Sequence, residues 1–462
     1  MFPDISDLND QVFSIMPTAL IGSVVRTMGM TVSIADFPAP IGANVEVQPQ
    51  AGAAVRGEVV GFRDDLTLVY PFGRLDGIRR GNRARLVCTS RFLRVGQAVL
   101  GRILDAHGNC VDGLPQPHNH RRTALDRSPP TPTERPPINQ TLATGVRSID
   151  GLLTCGLGQR IGIFSGSGVG KSMTLGMIAR YTTADVIVIA LIGERGREVN
   201  EFIQRDLGKE GLARAVIVVA TADEPAILRV QSALTATSVA EHFRDQGKNV
   251  LLLMDSITRF AMAQREIGLA AGEPPTTHGY PPSVFGLLPR LVERAGRSTT
   301  GSITALYSVL VEGDDLDEPI SDAVRGLLDG HVVLSRKLAI RGHYPPIDVL
   351  KSLSRLMPSL VTEQHLQAAT IVREALAVHR DHEDLISVGA YRQGTNPAVD
   401  TAIRVNEEIN QYLRQSVDEP SSLDSSWTAL QNLAARCRTP ANVTEIAPMG
   451  NDTDRHDLRG AA

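Results

Sequence analysis

The chain has 462 residues, 42% hydrophobic and 21% charged, with a formal net charge of −4. That length holds about two or three domains with ample core, and the charge gives no reason to expect nucleic acid or an acidic membrane surface as the main partner. The four cysteines (Cys88, Cys110, Cys155, Cys437) form no Cys-x-x-Cys pair and the 11 histidines are scattered, which argues against zinc and for reduced thiols in a cytosol.

No stretch approaches 18 uninterrupted apolar residues, and Met1-Phe2-Pro3-Asp4 lacks the basic start and apolar core of a secretion signal. Residues 1–17 set Phe2, Leu8, Val12, Phe13, Ile15 and Met16 among polar positions. They fit either a short amphipathic helix that docks on a partner or a frayed terminus. Residues 18–92 read as a small β-barrel: short Val- and Ile-rich runs (19–25, 31–34, 44–47, 54–62, 66–69, 84–88) alternate with Gly, Pro and Asp turns. Residues 93–137 read as a connection, Pro-rich and extended from Pro115 to Pro137.

Residues 138–361 alternate apolar strands with helices, the pattern of a mostly parallel sheet covered on both faces. Strands are expected at 160–164, 186–192, 215–220, 249–254 and 303–309, each nearly continuous in Val, Ile, Leu and Ala. Residues 362–439 read as helical. Ala368, Val372, Ala375, Leu376 and His379 share one face, and Ala402, Val405, Ile409, Tyr412 and Leu413 another. Residues 440–462 are polar and weakly patterned, and read as a disordered tail.

The chemistry starts where the strand at 160–164 breaks into Ser165-Gly166-Ser167-Gly168-Val169-Gly170-Lys171-Ser172. Without side chains at Gly166, Gly168 and Gly170 the backbone can curl so that its N–H groups point at phosphate oxygens. Lys171 then reaches the β- and γ-phosphates and the Ser172 hydroxyl ligates Mg²⁺. A helix from about Lys171 to Tyr181 aims its positive end at the same anion. The generic pattern opens on Gly, where this chain has Ser165.

Further along, the strand Asn249–Asp255 ends in a carboxylate suited to the Mg²⁺ site. Glu194 follows another strand and suits a base that orients attacking water, with Arg195 beside it to neutralise phosphate charge; a solvated charged turn fits the same local sequence. Arg355 is either a surface charge or the added cation that phosphoryl transfer takes, sometimes from a neighbouring subunit. Arg79, Arg80, Arg83 and Arg85 read as a solvated turn rather than a nucleic-acid surface.

Together with Thr144–Gly156, Gly193–Val199, Gly279–Phe285, Glu312–Pro319 and Gly342–Asp348, these motifs resemble the flagellar and type III protein-export ATPases, relatives of the catalytic β subunit of F-type ATP synthase, over roughly residues 20–440. The resemblance implies an N-terminal β-barrel, a central RecA-like P-loop domain and a C-terminal helical domain. It also implies a homo-hexamer with ATP at subunit junctions. By position, Gly166, Ser167, Gly168, Val169, Gly170, Lys171 and Ser172 would hold phosphate, Ser172 and Asp255 the Mg²⁺, and Tyr344 the adenine. Glu194 would be the base, with Arg195 beside it and Arg259 on the phosphate side. Arg355 would be an arginine finger acting on a neighbouring subunit.

Implied partners are regulator and stalk proteins of an export apparatus, chaperone–cargo complexes and a membrane export gate, at the inner face of the cytoplasmic membrane. Ser387-Val-Gly-Ala-Tyr391 favours the flagellar over the injectisome branch. The acidic Asp-Glu-Leu-Ser-Glu-Glu-Asp segment of synthase β subunits and the long insertion of vacuolar-type catalytic subunits are both missing, which favours export over synthesis.

Overall fold

The computed structural model describes residues 19–117, 121–311, 313 and 318–438. Residues 1–17, read as a docking helix or a frayed terminus, the expected tail 440–462 and most of the 312–319 motif lie outside the described residues.

Six strands form the first unit: β1 (Ile21–Met28), β2 (Thr31–Ala35), β3 (Asn44–Gln48), β4 (Val55–Arg63), β5 (Leu66–Pro71) and β6 (Arg83–Cys88). In β3 and β6 alternate side chains are buried, the period-two pattern of a sheet with one wet face. The strands close into a barrel in the order β1-β2-β5-β4-β3-β6, filled by Val24, Ile34, Val45, Val59 and Val69.

Residues 93–137 do more than connect. β7 (Phe92–Val95) pairs with β9 (Arg121–Ala124), and β8 (Ile103–Leu104) joins the edge of the central sheet. Arg294 fixes the end of this stretch by donating to the Leu125 carbonyl while pairing with Glu241 at 2.8 Å, both side chains almost fully buried. Each charge there has its counter-charge and hydrogen bonds, the condition for tolerating such burial.

After a short pair, β10 (Thr141–Leu142) with β11 (Cys155–Gly156), come the main strands: β12 (Arg160–Ser165), β13 (Val186–Glu194), β14 (Ala215–Thr221) and β15 (Asn249–Asp255). They are followed by β16 (Gly296–Arg297), β17 (Ser302–Leu310), β18 (Gly330–Val333) and β19 (Leu353–Ser354). The sheet runs β19-β18-β12-β17-β15-β13-β14-β8, parallel except at β19, with β16 paired antiparallel to β17. From Val186 to Gly193 every residue of β13 is buried, because helices cover both faces.

Side-chain alternation divides the strands between two cores. Val188, Ala190, Val250 and Leu252 meet the helices Ala226–Arg244, Ile257–Ala271 and Pro282–Val292. Ile187, Ile189, Leu251 and Leu253 meet the helix Lys171–Tyr181 in a core that continues into the C-terminal helices Glu363–Asp381, Pro397–Leu413 and Leu423–Arg438. The Trp427 indole N–H donates to the Asp150 carbonyl at 2.9 Å, tying that helical unit to the sheet domain. Among the described residues no helix is long and apolar enough to cross a membrane.

Candidate active site

Parallel strands end together, so the loops after β12, β13 and β15 share one rim of the sheet, where α/β proteins bind ligands. The loop after β12 makes two turns only glycine takes readily: Gly168 has φ +73° and Gly170 φ +99°. Gly170 caps the helix Lys171–Tyr181, and its carbonyl accepts from both the N–H and the hydroxyl of Thr174. The first backbone N–H groups of this helix have no partner within it, so they are available to an anion at the loop.

Three predicted residues converge here. Lys171 Nζ lies 2.6 Å from Asp255 Oδ1 at the end of β15 and 3.7 Å from Glu194 Oε1 at the end of β13. Burial pulls the Lys171 pKa down, but the Asp255 and Glu194 carboxylates outweigh it and hold the ammonium above its ordinary value. Burial and the neighbouring Asp255 charge push the Glu194 carboxyl up, against the pull of Lys171 and Arg259. A carboxylate raised this way is a better proton acceptor than an exposed one.

Arg259 completes the cluster, with Nε 3.4 Å from Glu194 Oε1. Gly193 makes room for it: φ there is +68°, and a Cβ would stand 2.8 Å from Arg259 Cδ. Ser256 caps the helix that carries Arg259, accepting from the Arg259 N–H. Tyr344 packs on the phosphate loop, its Cε1 3.3 Å from where a Gly170 Cβ would be, with its ring partly exposed. The Ser172 hydroxyl and the Asp255 carboxylate are hard oxygen donors of the kind Mg²⁺ takes alongside substrate phosphates, so the donor set fits that ion.

Two predicted residues are not brought in. Arg195 is 77% exposed and pairs with Glu198 at 3.5 Å, one turn along its own helix; the arginine that reaches Glu194 is Arg259. Arg355 is exposed, and its backbone N–H donates to the Asp329 carbonyl. The Asp329 carboxylate holds Arg160 at the start of β12, whereas the phosphate loop leaves the other end of that strand. Roughly 17 Å of strand separates the two ends, beyond the reach of an arginine side chain.

One supporting residue escaped the sequence. Arg336 Nη2 donates to the Ser167 carbonyl at 3.2 Å and steadies the loop from 169 positions away. No local pattern marks such an arginine.

A glycine-rich phosphate loop, a lysine and two strand-end carboxylates on a parallel sheet define a P-loop nucleotide triphosphatase core. Models of the ATP synthase alpha/beta family match residues 24–86 (beta-barrel domain) and 145–354 (nucleotide-binding domain), and the T3SS EscN ATPase C-terminal domain matches 361–432. The flagellum-specific ATP synthase of Bacillus subtilis is 51% identical over 414 residues, covering 90% of this chain and 93% of the relative. The type 3 secretion system ATPase of Xanthomonas euvesicatoria is 48% identical, covering 89% and 93%. The assembled ATPase EscN of the enteropathogenic E. coli type III secretion system superposes with a TM-score of 0.86 at 45% identity, over 89% of this chain and all of that one. The chain belongs to the family of flagellum-specific and type III secretion ATPases, and it is an ATP-hydrolysing enzyme.

Proposed function

We propose that this protein is the Mg-ATP-driven motor of a flagellar type III export apparatus, working as a homo-hexamer with each catalytic site completed by a neighbour. The observation that carries this reading is the split site. Lys171, Glu194 and Asp255 converge on one rim of the sheet, while Arg355 sits at the other end of the strands, exposed. Two further findings support it: several of the similar proteins are flagellum-specific, and a structural relative was solved in complex with its central stalk.

In the proposed reaction the backbone N–H groups of Gly166–Gly170 and the Lys171 ammonium hold the β- and γ-phosphates. Ser172 and Asp255 would hold Mg²⁺, which would supply neutralisation of the charge on the phosphate oxygens. Glu194 orients a water in line with the γ-phosphorus and takes its proton as the new O–P bond forms. The bridging P–O bond breaks, leaving ADP and phosphate. Lys171, tied to Asp255, turns to the arriving phosphates. Arg355 of the adjoining subunit meets the equatorial oxygens, and the Tyr344 ring packs on adenine.

The proposed cycle around the ring serves release of export cargo from chaperones and its entry at a membrane gate, with regulator and stalk proteins as partners. The test is Mg-ATP turnover per subunit against protein concentration, for the purified chain alone. A steep rise is expected. A flat, low rate at every concentration means that a different chain completes the site, as in a rotary synthase, and overturns the homo-hexamer.

A further inference from the structure

The turn at 414–419 joins the helices Pro397–Leu413 and Leu423–Arg438 of the C-terminal unit, yet its hydrogen bonds reach back into the nucleotide-binding domain. The Gln415 N–H donates to the Tyr344 carbonyl at 2.9 Å, and among the described residues this is the one hydrogen bond that Tyr344 makes. The Tyr344 side chain is 37% exposed beside the Gly170 turn. No polar contact fixes the ring, so its placement comes mainly from its backbone.

The Gln415 side chain, by contrast, is only 4% exposed and paired at both ends. Its Oε1 accepts from the Arg147 N–H at 2.8 Å, and its Nε2 donates to the Gly145 carbonyl at 2.8 Å and the Glu419 carbonyl at 2.7 Å. One buried amide thus ties together the start of the sheet domain, the turn and, through its own backbone, the tyrosine. Losing it leaves buried partners unsatisfied. The turn has other anchors that do not involve this amide. The Val417 carbonyl accepts from Arg180 Nη2 at 2.8 Å and from the Tyr181 hydroxyl at 3.0 Å, at the far end of the phosphate-loop helix. The Arg147 guanidinium donates to the Arg414 carbonyl at 2.8 Å and pairs with Glu419 at 3.1 Å. Removing the Gln415 side chain therefore loosens Tyr344 and leaves the turn attached.

We propose that Gln415 is a positioning residue for nucleotide binding: it fixes the Tyr344 backbone so that the ring stands ready for the base, and so makes affinity for the base depend on the C-terminal unit. The proposal rests on the reading of Tyr344 as the adenine platform. Without Gln415 the tyrosine has to be ordered at the moment of binding, and that cost falls on affinity rather than on the chemistry at Glu194.

The test is a double-mutant cycle in the full chain, read by titration with Mg-ADP and with inorganic tripolyphosphate, which has phosphates and no base. Gln415→Ala should weaken Mg-ADP and raise the KM for ATP about tenfold, with kcat within about twofold of the parent and tripolyphosphate affinity unchanged. In a Tyr344→Ala background it should cost nothing further. Emission of Trp427, the one tryptophan of the chain, whose indole N–H is bonded to the Asp150 carbonyl, should stay as in the parent and show the helical unit still docked. If that emission shifts, Gln415→Glu carries the test. It keeps the volume and the bond from Arg147 but turns an acceptor on the Gly145 and Glu419 carbonyls, so it should give the same split between the two ligands. Equal losses for Mg-ADP and tripolyphosphate, or a cost of Gln415→Ala that is the same with and without Tyr344, overturn the proposal and make Gln415 a general prop of the fold. If Tyr344→Ala binds Mg-ADP as the parent does, the adenine reading fails and takes the proposal with it. If Tyr344→Ala weakens Mg-ADP and Gln415→Ala does not, the positioning role alone fails.

Discussion

Glu194 is held between opposing influences: burial and Asp255 raise its pKa, while Lys171 and Arg259 lower it. Replacing it by Gln keeps the shape and the contact with Arg259 but removes the proton acceptor. Glu194→Gln is therefore expected to bind nucleotide normally and to lose about 10²–10⁴-fold in turnover, the usual share of a general base. Nucleotide titration alongside steady-state hydrolysis checks this, and surviving turnover would show that Glu194 is not the base. Lys171→Ala acts differently. It removes the cation that serves the phosphates and leaves two carboxylates facing the site, so both affinity and turnover should fall, as the same two measurements report. At this scale the phosphate loop was fully legible, because its glycines and Lys-Ser are consecutive. Arg195 and Arg259 were harder to rank. Both lie near Glu194, but the turn after β13 directs Arg195 to solvent, and only the helix after β15 brings Arg259 across Gly193.

Among the elements, the junction between barrel and sheet carries a titration of its own. Glu58 on β4 accepts from Arg91 at 3.0 Å and lies close to Gln231, 3.4 Å away. Burial, partly offset by Arg91, pushes its carboxyl up to about 7. The folded protein thus binds this proton more tightly than the unfolded chain does, so the contribution is fully present below the ordinary glutamate value and is lost as pH rises through 7. Glu58→Gln should be insensitive. Its stability relative to the parent protein should rise by on the order of 3 kcal/mol between pH 4 and pH 8, measured by urea melts. Parallel stability curves would mean that Glu58 titrates alike in both states. None of this was readable from sequence, since Glu58, Arg91 and Gln231 meet only after folding. The elements themselves were readable in proportion to their length. β13 and β15 announce themselves as long apolar runs and β17 as a nearly continuous one broken by Thr304 and Ser308, whereas two-residue strands such as β8 and β19 have no period to detect. β8 exists because β14 offers it an open edge, with Ile103 opposite Ile217.

For the whole molecule the question is whether one chain is enough. The three-part architecture was legible because each part has its own pattern, alternating, continuous or helical, and the family resemblance ordered them. The separation of Arg355 from its own phosphate loop was not, because sequence distance says nothing about which end of a strand a residue occupies. If Arg355 acts on a neighbour, Arg355→Ala should leave nucleotide binding intact and cut turnover by about 10³–10⁵-fold, as loss of an arginine finger does. That loss alone does not distinguish a finger in trans from one in cis, but mixing does. A Lys171→Ala subunit cannot cleave ATP yet still offers Arg355, and an Arg355→Ala subunit has an intact phosphate loop and lacks only the finger. In a head-to-tail ring the two meet in the productive order at about one junction in four when mixed equally at random. Hydrolysis by the mixture should then far exceed that of either variant alone, approaching a quarter of the parent rate if junctions work independently. A mixture no more active than its parts would place Arg355 in the service of its own subunit, or of none.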